Sequence, residues 1–195
     1  PVTGAPSKTL FRGTARKKAK LSIVDAPVEE YDSVAELYVG AGALPRDSEM
    51  TAKGISDDAT SDRVEEERRN IAVMSWLYAA KKEEDNDYHI IIGTEPGETP
   101  RRFFNVELSG LPRSGQPFRT ELKAVRDAFE SFLGSAAPST SGYKKYNPPI
   151  PVIVTGSLFF DVSHAAGVVG PSGMKPASAW EIHPITDFEF EPGTN

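Results

Sequence analysis

The sequence predicts a mainly β domain that contains one helix. Short β-branched and aromatic segments recur from Asn70 onward, and a single segment among them has a helical period. The predicted elements follow the order strand, strand, strand, helix, strand, strand. This order matches an OB-like barrel, which is a five-stranded Greek-key arrangement. A β-sandwich with one covering helix is the main alternative. The five strands are expected at residues 71–80, 88–92, 102–108, 152–160 and 180–190.

The first and fourth predicted strands have the strongest strand character. Residues 71–80 are apolar on both faces, which is typical of a central strand. Residues 152–160 are rich in β-branched and aromatic side chains, and Gly156 among them predicts a bulge or a bend. The last strand is expected to break near Pro184, because proline has no amide hydrogen to donate to a neighbouring strand.

The helix is predicted from Arg119 to Leu133. Its apolar residues recur every three or four positions, so they form one stripe that faces a core. Gly134 follows the last of them, and glycine commonly ends a helix. The stripe contains Leu122, Val125, Ala128, Phe129, Phe132 and Leu133.

We divide the chain into an irregular or partly disordered N-terminal extension, residues 1–69, and an OB-like domain, residues 70–195. The extension has no sustained apolar period and is interrupted by prolines and glycines. Within it, residues 21–24 are expected to form a short strand, and residues 34–39 a strand or a helical turn. The charged residues 56–69 predict a solvated helix or a disordered connector.

Composition excludes several classes of protein. The chain of 195 residues has no cysteine, so disulfides, thiolate nucleophiles and Cys-rich zinc sites are excluded. A net charge of −6 disfavours nucleic acid as a partner. Residues 8–20 carry six basic residues and no acid, which predicts either an arm for an acidic partner or a solvated terminus. No apolar segment is long enough to span a bilayer. The compartment stays open between the cytoplasm and export.

All three histidines lie close to a carboxylate in the sequence, near the expected end of a strand. Imidazole beside carboxylate is found in metal sites, in proton relays and in structural hydrogen bonds. We expect no cofactor and a structural role for each histidine, with a divalent metal as the alternative. No nucleotide cofactor is expected, because the phosphate-binding glycine motifs are absent. The three pairs are Asp87 with His89, Asp161 with His164, and Glu181 with His183.

Three motifs carry a resemblance to a group of uncharacterised bacterial proteins. They are the acidic turn ending in D-Y-H at residues 87–89, T-G-S-L-F-F-D-V-S-H at residues 155–164, and W-E-I-H-P at residues 180–184. The similarity covers roughly residues 70–190 and leaves the first third of the chain unmatched. It implies one folded unit and directs attention to the histidines, but the group has no known activity to transfer.

Two functions from different classes fit these residues. The first is a non-enzymatic binding or interaction module for an unidentified ligand or protein partner. Its candidate binding loop interleaves aromatic and cationic side chains, namely Tyr143, Lys144, Lys145 and Tyr146. The second is a metal-dependent hydrolase, for example one similar to a nuclease, that uses the His/carboxylate residues. An enzyme requires at least two histidines to converge in a cleft. A purely structural subunit is a third alternative.

Overall fold

A computed structural model describes residues 9–190, which form three α-helices and six β-strands. The prediction of a mainly β fold with one long helix is confirmed. The elements are α1 (Lys17–Lys20), β1 (Val28–Tyr31), α2 (Asp47–Ala52), β2 (Asn70–Lys82), β3 (Tyr88–Gly93), β4 (Phe103–Leu108), α3 (Arg119–Leu133), β5 (Lys144–Phe160) and β6 (Trp180–Phe190), with single 3₁₀ turns at Val34–Leu37, Glu65–Glu67 and Gly134–Ala136.

All six strands belong to one mixed sheet in the order β1-β2-β3-β4-β6-β5. Strand β5 also pairs with β2, so a ring of hydrogen-bonded strands closes through β2, β3, β4, β6 and β5. The β1/β2 and β4/β6 pairs are parallel, and the other pairs are antiparallel. A single sheet that closes on itself does not match the two stacked sheets of the sandwich alternative.

The main apolar core lies on one face of this sheet and is covered by α3. Ile90, Val106 and Ile182 from three neighbouring strands are fully buried in it. From α3, Phe129 reaches the same core, and its ring centroid lies 5.2 Å from that of Phe188 on β6. The predicted helical stripe therefore faces the core through Leu122, Val125, Phe129 and Leu133, while Phe132 on its edge is 53% exposed.

Strand β6 passes Pro184 without a break, so the expected interruption is wrong. The register of β5 against β6 shifts on both sides of Gly156, which confirms the predicted bulge. A side chain at Gly156 would place its Cβ 2.3 Å from the Pro184 carbonyl oxygen. Glycine is therefore required at this close approach, and the bulge accommodates the proline that a regular ladder would not.

The N-terminal segment contains only short elements, but many of its side chains are buried. Tyr31, Val34, Leu37 and Met50 join the main core. The buried guanidinium of Arg63 donates to the carbonyl oxygens of Ala19, Ser22 and His183, and also to that of Leu158. The division of the chain at residue 69 stays a prediction.

Three local expectations for the chain are corrected. Residues 21–24 form no strand. Residues 144–146 belong to β5 and are not a loop, because Lys144 and Lys145 pair with Ala80 and Ala79 of β2. The basic stretch 8–20 is neither a free arm nor a wholly solvated terminus, because Arg16 and Lys20 are buried; Lys8 lies outside the described residues.

Within residues 9–190, no helix combines the length and the apolar character needed to cross a lipid bilayer.

Candidate functional site

Strand pairing places five polar side chains on one face of the sheet, opposite the main core. His89 on β3 is paired directly with Glu107 on β4, and Asn105 on β4 is paired with Glu181 on β6. Residues two apart on a strand point to the same face, so His183 joins Glu181, and Asn105 joins Glu107. We call this set of five residues the polar face.

Strand β4 shows how the sequence produces the polar face. Its apolar residues Phe104, Val106 and Leu108 point to the main core, whereas Asn105 and Glu107 alternate with them and point the other way. Both sides of the strand are buried. The polar face is therefore not a solvated surface but a second, polar interior that requires partners for its charges.

His183 is the centre of the polar face. Its Nδ1 lies 3.0 Å from Glu181 Oε1 and 3.0 Å from Glu107 Oε2, and the hydrogen bond is made to Glu181. Asn105 holds the two carboxylates together, because its Nδ2 donates to Glu107 Oε1 at 2.8 Å and to Glu181 Oε2 at 2.9 Å. With the proton on Nδ1, the opposite nitrogen Nε2 carries a free lone pair.

Asp87 approaches His183 from the turn that precedes β3. Its Oδ1 accepts a hydrogen bond from the Gly110 amide. Its Oδ2 lies 3.7 Å from His183 Nε2, which is too long for a hydrogen bond. Both side chains are almost completely buried, at 1% and 0% exposure. The two groups therefore face each other without bonding.

The other two histidines lie beside this centre. His89 Nε2 is 2.9 Å from Glu107 Oε1, and His164 Nδ1 is 2.7 Å from Asp161 Oδ2. The two imidazole rings are nearly perpendicular, with centroids 6.1 Å apart. Glu107 contacts both His89 and His183, and His164 lies beside His89, so all three histidines belong to one group. We call this group the His/carboxylate cluster; it contains Asp87, His89, Glu107, Asp161, His164, Glu181 and His183.

His164 is the most exposed member of the cluster. Its side chain is 36% exposed and lines a small cleft of about 10 Å³ together with Asp161, Asn105 and Glu181. The N-terminal segment contacts the cluster through a lysine. Lys20 from α1 places its Nζ 3.7 Å from Asp161 Oδ2, and its side chain is only 10% exposed.

The charges in the cluster do not balance easily, and the pKa values of the carboxyl groups reflect this. Burial raises the pKa of Asp87 to about 7, with a further contribution from Glu107. Burial also raises the pKa of Glu181 well above its ordinary value, and the nearby Glu107 and Asp161 add to the shift. Lys20 offsets part of this, since the surrounding carboxylates outweigh its burial and raise its pKa.

His89 and Glu107 behave as a charged pair. Burial lowers the pKa of His89, but Glu107 and other carboxylates outweigh it and raise the pKa to about 9. Burial likewise raises the pKa of Glu107, but His89 and His183 outweigh it, so that pKa falls well below its ordinary value. The two charges of this pair balance each other. The raised pKa values of Asp87 and Glu181 mean that burial favours their neutral forms, whereas a bound cation would favour their charged forms.

Three atoms of the cluster have no hydrogen-bond partner within the described part of the chain. They are Asp87 Oδ2, Glu107 Oε2 and His183 Nε2, and each is buried. The same three residues each offer a ligand atom, and these atoms lie within 4.8 Å of one another. Unsatisfied buried acceptors are costly. Two carboxylates and one imidazole that each offer a ligand atom within this distance form a donor set that suits a divalent metal.

The structure brings all six of the histidine and acidic candidates from the sequence into the cluster. Sequence reasoning missed Glu107, Asn105 and Lys20. A signal was available for two of them, because the alternation in residues 103–108 places a polar pair on the face opposite three apolar residues. Lys20 had no comparable signal, since it reaches the cluster only through long-range packing.

The Tyr/Lys candidates are placed differently. Tyr143 accepts a hydrogen bond from the Gly170 amide, and Tyr146 is buried and donates to the Ala136 carbonyl oxygen. Lys144 and Lys145 lie at the start of β5. The two tyrosines therefore have structural partners already, which weakens the proposal that this segment is a free recognition loop.

A comparison of the chain with known protein families, with curated proteins and with solved structures found no match.

Proposed function

We propose that this protein is an OB-like binding module whose polar face holds one divalent metal ion. The ring order β2-β3-β4-β6-β5, with β4 and β6 parallel, supports the OB-like arrangement. OB-folds bind ligands on the face of their second and third strands and on the adjoining loops. Here those strands are β3 and β4, which carry His89, Asn105 and Glu107, and the turn before β3 supplies Asp87.

The observation that carries the proposal is the set of three buried atoms that lack a partner. Asp87, Glu107 and His183 would hold the ion, and one cation would satisfy all three atoms at once. Glu181 supports this role, because a carboxylate on the far nitrogen orients a metal-binding histidine and increases its basicity. The 3.7 Å between Asp87 Oδ2 and His183 Nε2 is close to the typical distance between two atoms that bind the same metal ion. These two atoms would need to move only slightly toward each other.

The donor chemistry selects the kind of metal. One imidazole with two carboxylates suits Zn²⁺, Mn²⁺ or Fe²⁺ better than Ca²⁺, which prefers oxygen ligands alone. The side chains of the three ligands are at most 1% exposed. A closed site of this kind supports a structural or ligand-organising ion. When bound, the ion would neutralise the excess negative charge of the cluster.

The test compares metal binding by the parent protein, by two variants of the proposed ligands and by a control glutamate variant. Protein purified without an affinity tag is assayed for metal by mass spectrometry and titrated calorimetrically with Zn²⁺ and Mn²⁺. We expect one site per chain, lost or weakened by about 100-fold in Glu107→Gln and in His183→Ala. The control Glu189→Gln, at an exposed position on β6, should bind as the parent does. Equal affinities in Glu107→Gln and Glu189→Gln would contradict the proposal.

We also propose, as a second candidate function, metal-dependent hydrolysis. The supporting observation is the pair of His89 and His164 at the accessible side of the cluster, with ring centroids 6.1 Å apart and a carboxylate beside each. Asp161 raises the pKa of His164 through their hydrogen bond, so His164 is a suitable proton donor at the cleft. A bound divalent metal would supply a Lewis acid.

Hydrolysis of bis(p-nitrophenyl) phosphate tests the second function. We expect turnover that requires added Zn²⁺ or Mn²⁺ and falls by about 100-fold in His164→Gln, with the metal affinity unchanged. If no metal gives hydrolysis above the rate in buffer, the binding-module proposal stands alone. If turnover survives in His164→Gln, the assigned role of His164 is wrong.

A further inference from the structure

A second recessed surface lies away from the polar face, between the N-terminal segment and the loop before α3. It is a groove of about 700 Å³, a volume typical of small-molecule sites. Two backbone hydrogen bonds join its walls: Phe11 N donates to Leu111 O at 2.9 Å, and Leu111 N donates to Thr9 O at 2.6 Å. The groove is therefore built from two segments that are distant in the sequence and fixed to each other.

The floor of the groove is apolar. Phe11 and Leu111 are buried beneath it, at 6% and 3% exposure, and Leu10 and Leu21 line it as well. Phe118 lines one end and is 36% exposed. Its φ of 60° lies in the left-handed region, which a bulky side chain rarely adopts. Residues with a strained backbone conformation cluster at functional sites, and Phe118 lies beside this groove.

The rim of the groove is cationic. Arg12, Lys17, Lys18 and Arg113 line it, and no acidic residue does so among the described residues. Lys18 pairs with Asp62 at 2.7 Å, and Lys17 lies over the Phe11 ring. The exposed side chains of Arg12 and Arg113 have no hydrogen bond or ion pair within residues 9–190. The chain has 28 acidic and 22 basic residues, so a surface lined by four basic side chains and no acidic one differs in charge from the chain as a whole.

We propose that this groove binds a small amphiphilic anion of the fatty-acid type, with its apolar tail on the floor and its carboxylate at Arg12 and Arg113. The shape supports a single compact ligand, because the groove has the volume of a small-molecule site. The charge supports an anion, because arginine recognises carboxylates through paired hydrogen bonds. The site is independent of the proposed metal, since none of its lining residues belongs to the His/carboxylate cluster.

Dodecanoate is the probe, titrated calorimetrically below its micelle concentration and with EDTA present, so that the result does not depend on metal. We expect one saturable site per chain. Dodecan-1-ol should bind at least about tenfold more weakly, because it lacks the charge that the arginines recognise. The double variant Arg12→Glu/Arg113→Glu should lower dodecanoate affinity by at least about tenfold. The control Arg101→Glu/Lys175→Glu, an equivalent double charge reversal at exposed positions outside the groove, should leave the affinity unchanged.

Several results would overturn the proposal. These are the absence of saturable binding by the parent protein, equal affinities for the acid and the alcohol, or equal losses in Arg12→Glu/Arg113→Glu and in the control Arg101→Glu/Lys175→Glu. Binding that appears only after residues 1–8 are removed would assign the groove to that segment of the chain instead. Both arginines are exposed, so the double variant should retain the circular dichroism spectrum and the unfolding midpoint of the parent, which excludes misfolding as the cause of a loss.

Discussion

The two faces of β4 are equally buried but opposite in chemistry. Phe104, Val106 and Leu108 pack into the apolar core, whereas Asn105 and Glu107 contact histidines and other carboxylates. The apolar face stabilises the fold by removing hydrocarbon from water. The polar face removes charges from water, which is unfavourable unless each charge gains a partner. The apolar face therefore contributes stability, whereas the polar face costs stability unless its charges are paired, which is the reason for proposing that it binds an ion.

The arrangement of unsatisfied atoms supports this division. In the His/carboxylate cluster, three buried atoms from Asp87, Glu107 and His183 have no hydrogen-bond partner within the described residues, and Asn105 Oδ1 beside them has none either. The three cluster residues each offer a ligand atom within 4.8 Å of the other two. A polar network that served only as packing would be expected to satisfy its own members. The proposed cation would supply the partner that these atoms lack.

The largest effect on stability is expected from the apolar face. Replacing the fully buried Phe104 with alanine should lower the free energy of unfolding by about 3–5 kcal/mol, because it leaves a cavity in the core. Urea denaturation measures this change. The folded fraction of Phe104→Ala should still bind metal with the stoichiometry of the parent. A loss of the metal site in protein that remains folded would break the distinction between the faces.

Among the residues that would not bind the ion directly, Glu181 is expected to have the largest effect on metal affinity. This residue is hydrogen-bonded to His183 Nδ1 and, as the acceptor in the metal-bound state, would direct Nε2 toward the proposed ion. Glu181→Gln should weaken Zn²⁺ binding by about 10–100-fold, which is usual for the partner of a metal-binding histidine. Calorimetric titration measures the affinity. A variant that binds Zn²⁺ as tightly as the parent would show that His183 is not oriented for a metal.

The pH dependence of metal binding should follow Asp87. Its raised pKa of about 7 means that the carboxyl group is mostly protonated below that pH and must lose its proton to bind an ion. Affinity should therefore rise with pH through about 7 and change less above about 8, with about tenfold per pH unit lost on the acid side. Titrations across this range measure the slope. An affinity that is constant down to about pH 5 would exclude Asp87 as a ligand.

A smaller effect is expected at Lys20, which supplies a positive charge to the cluster. Removing this internal cation should strengthen the binding of a metal cation, because the two positive charges repel each other in a buried site. Lys20→Met should raise Zn²⁺ affinity by about threefold to tenfold. Lys18→Met, two positions earlier and exposed, is the matched control. Weaker binding in Lys20→Met alone would mean that Lys20 organises the site instead of competing with the ion.

Local patterns predicted the elements of the fold, and long-range pairing decided the rest. The period of α3 and the apolar segments of the strands are local features of the sequence, so the positions of these elements were predicted closely, except that β5 begins at Lys144 within the expected loop. The closed ring depends on β5 pairing with β2 as well as β6, which no local pattern encodes. The break expected at Pro184 failed for a related reason, because its compensation lies across the sheet at Gly156.

The candidate site was also predicted only where its residues are close in the sequence. The histidines were identified because each has a carboxylate close in sequence, but their convergence depends on strands that meet only in the fold. Glu107 was missed because the histidine beside it, His89, lies across a strand pair and not along the chain. Lys20 was missed because the N-terminal segment is held against the sheet by distant contacts, such as the 3.1 Å hydrogen bond that Arg16 Nη1 donates to the Phe160 carbonyl oxygen.

The most direct test of the central claim is an anomalous difference map from crystals of the zinc-loaded protein, measured at the zinc absorption edge. We predict a single strong peak among Asp87, Glu107 and His183, at about 2.0–2.2 Å from each ligand atom, with Glu181 still bonded to His183 Nδ1. A map without a peak there, or with zinc only at the exposed His164, would contradict the claim that the polar face is a metal-binding interior.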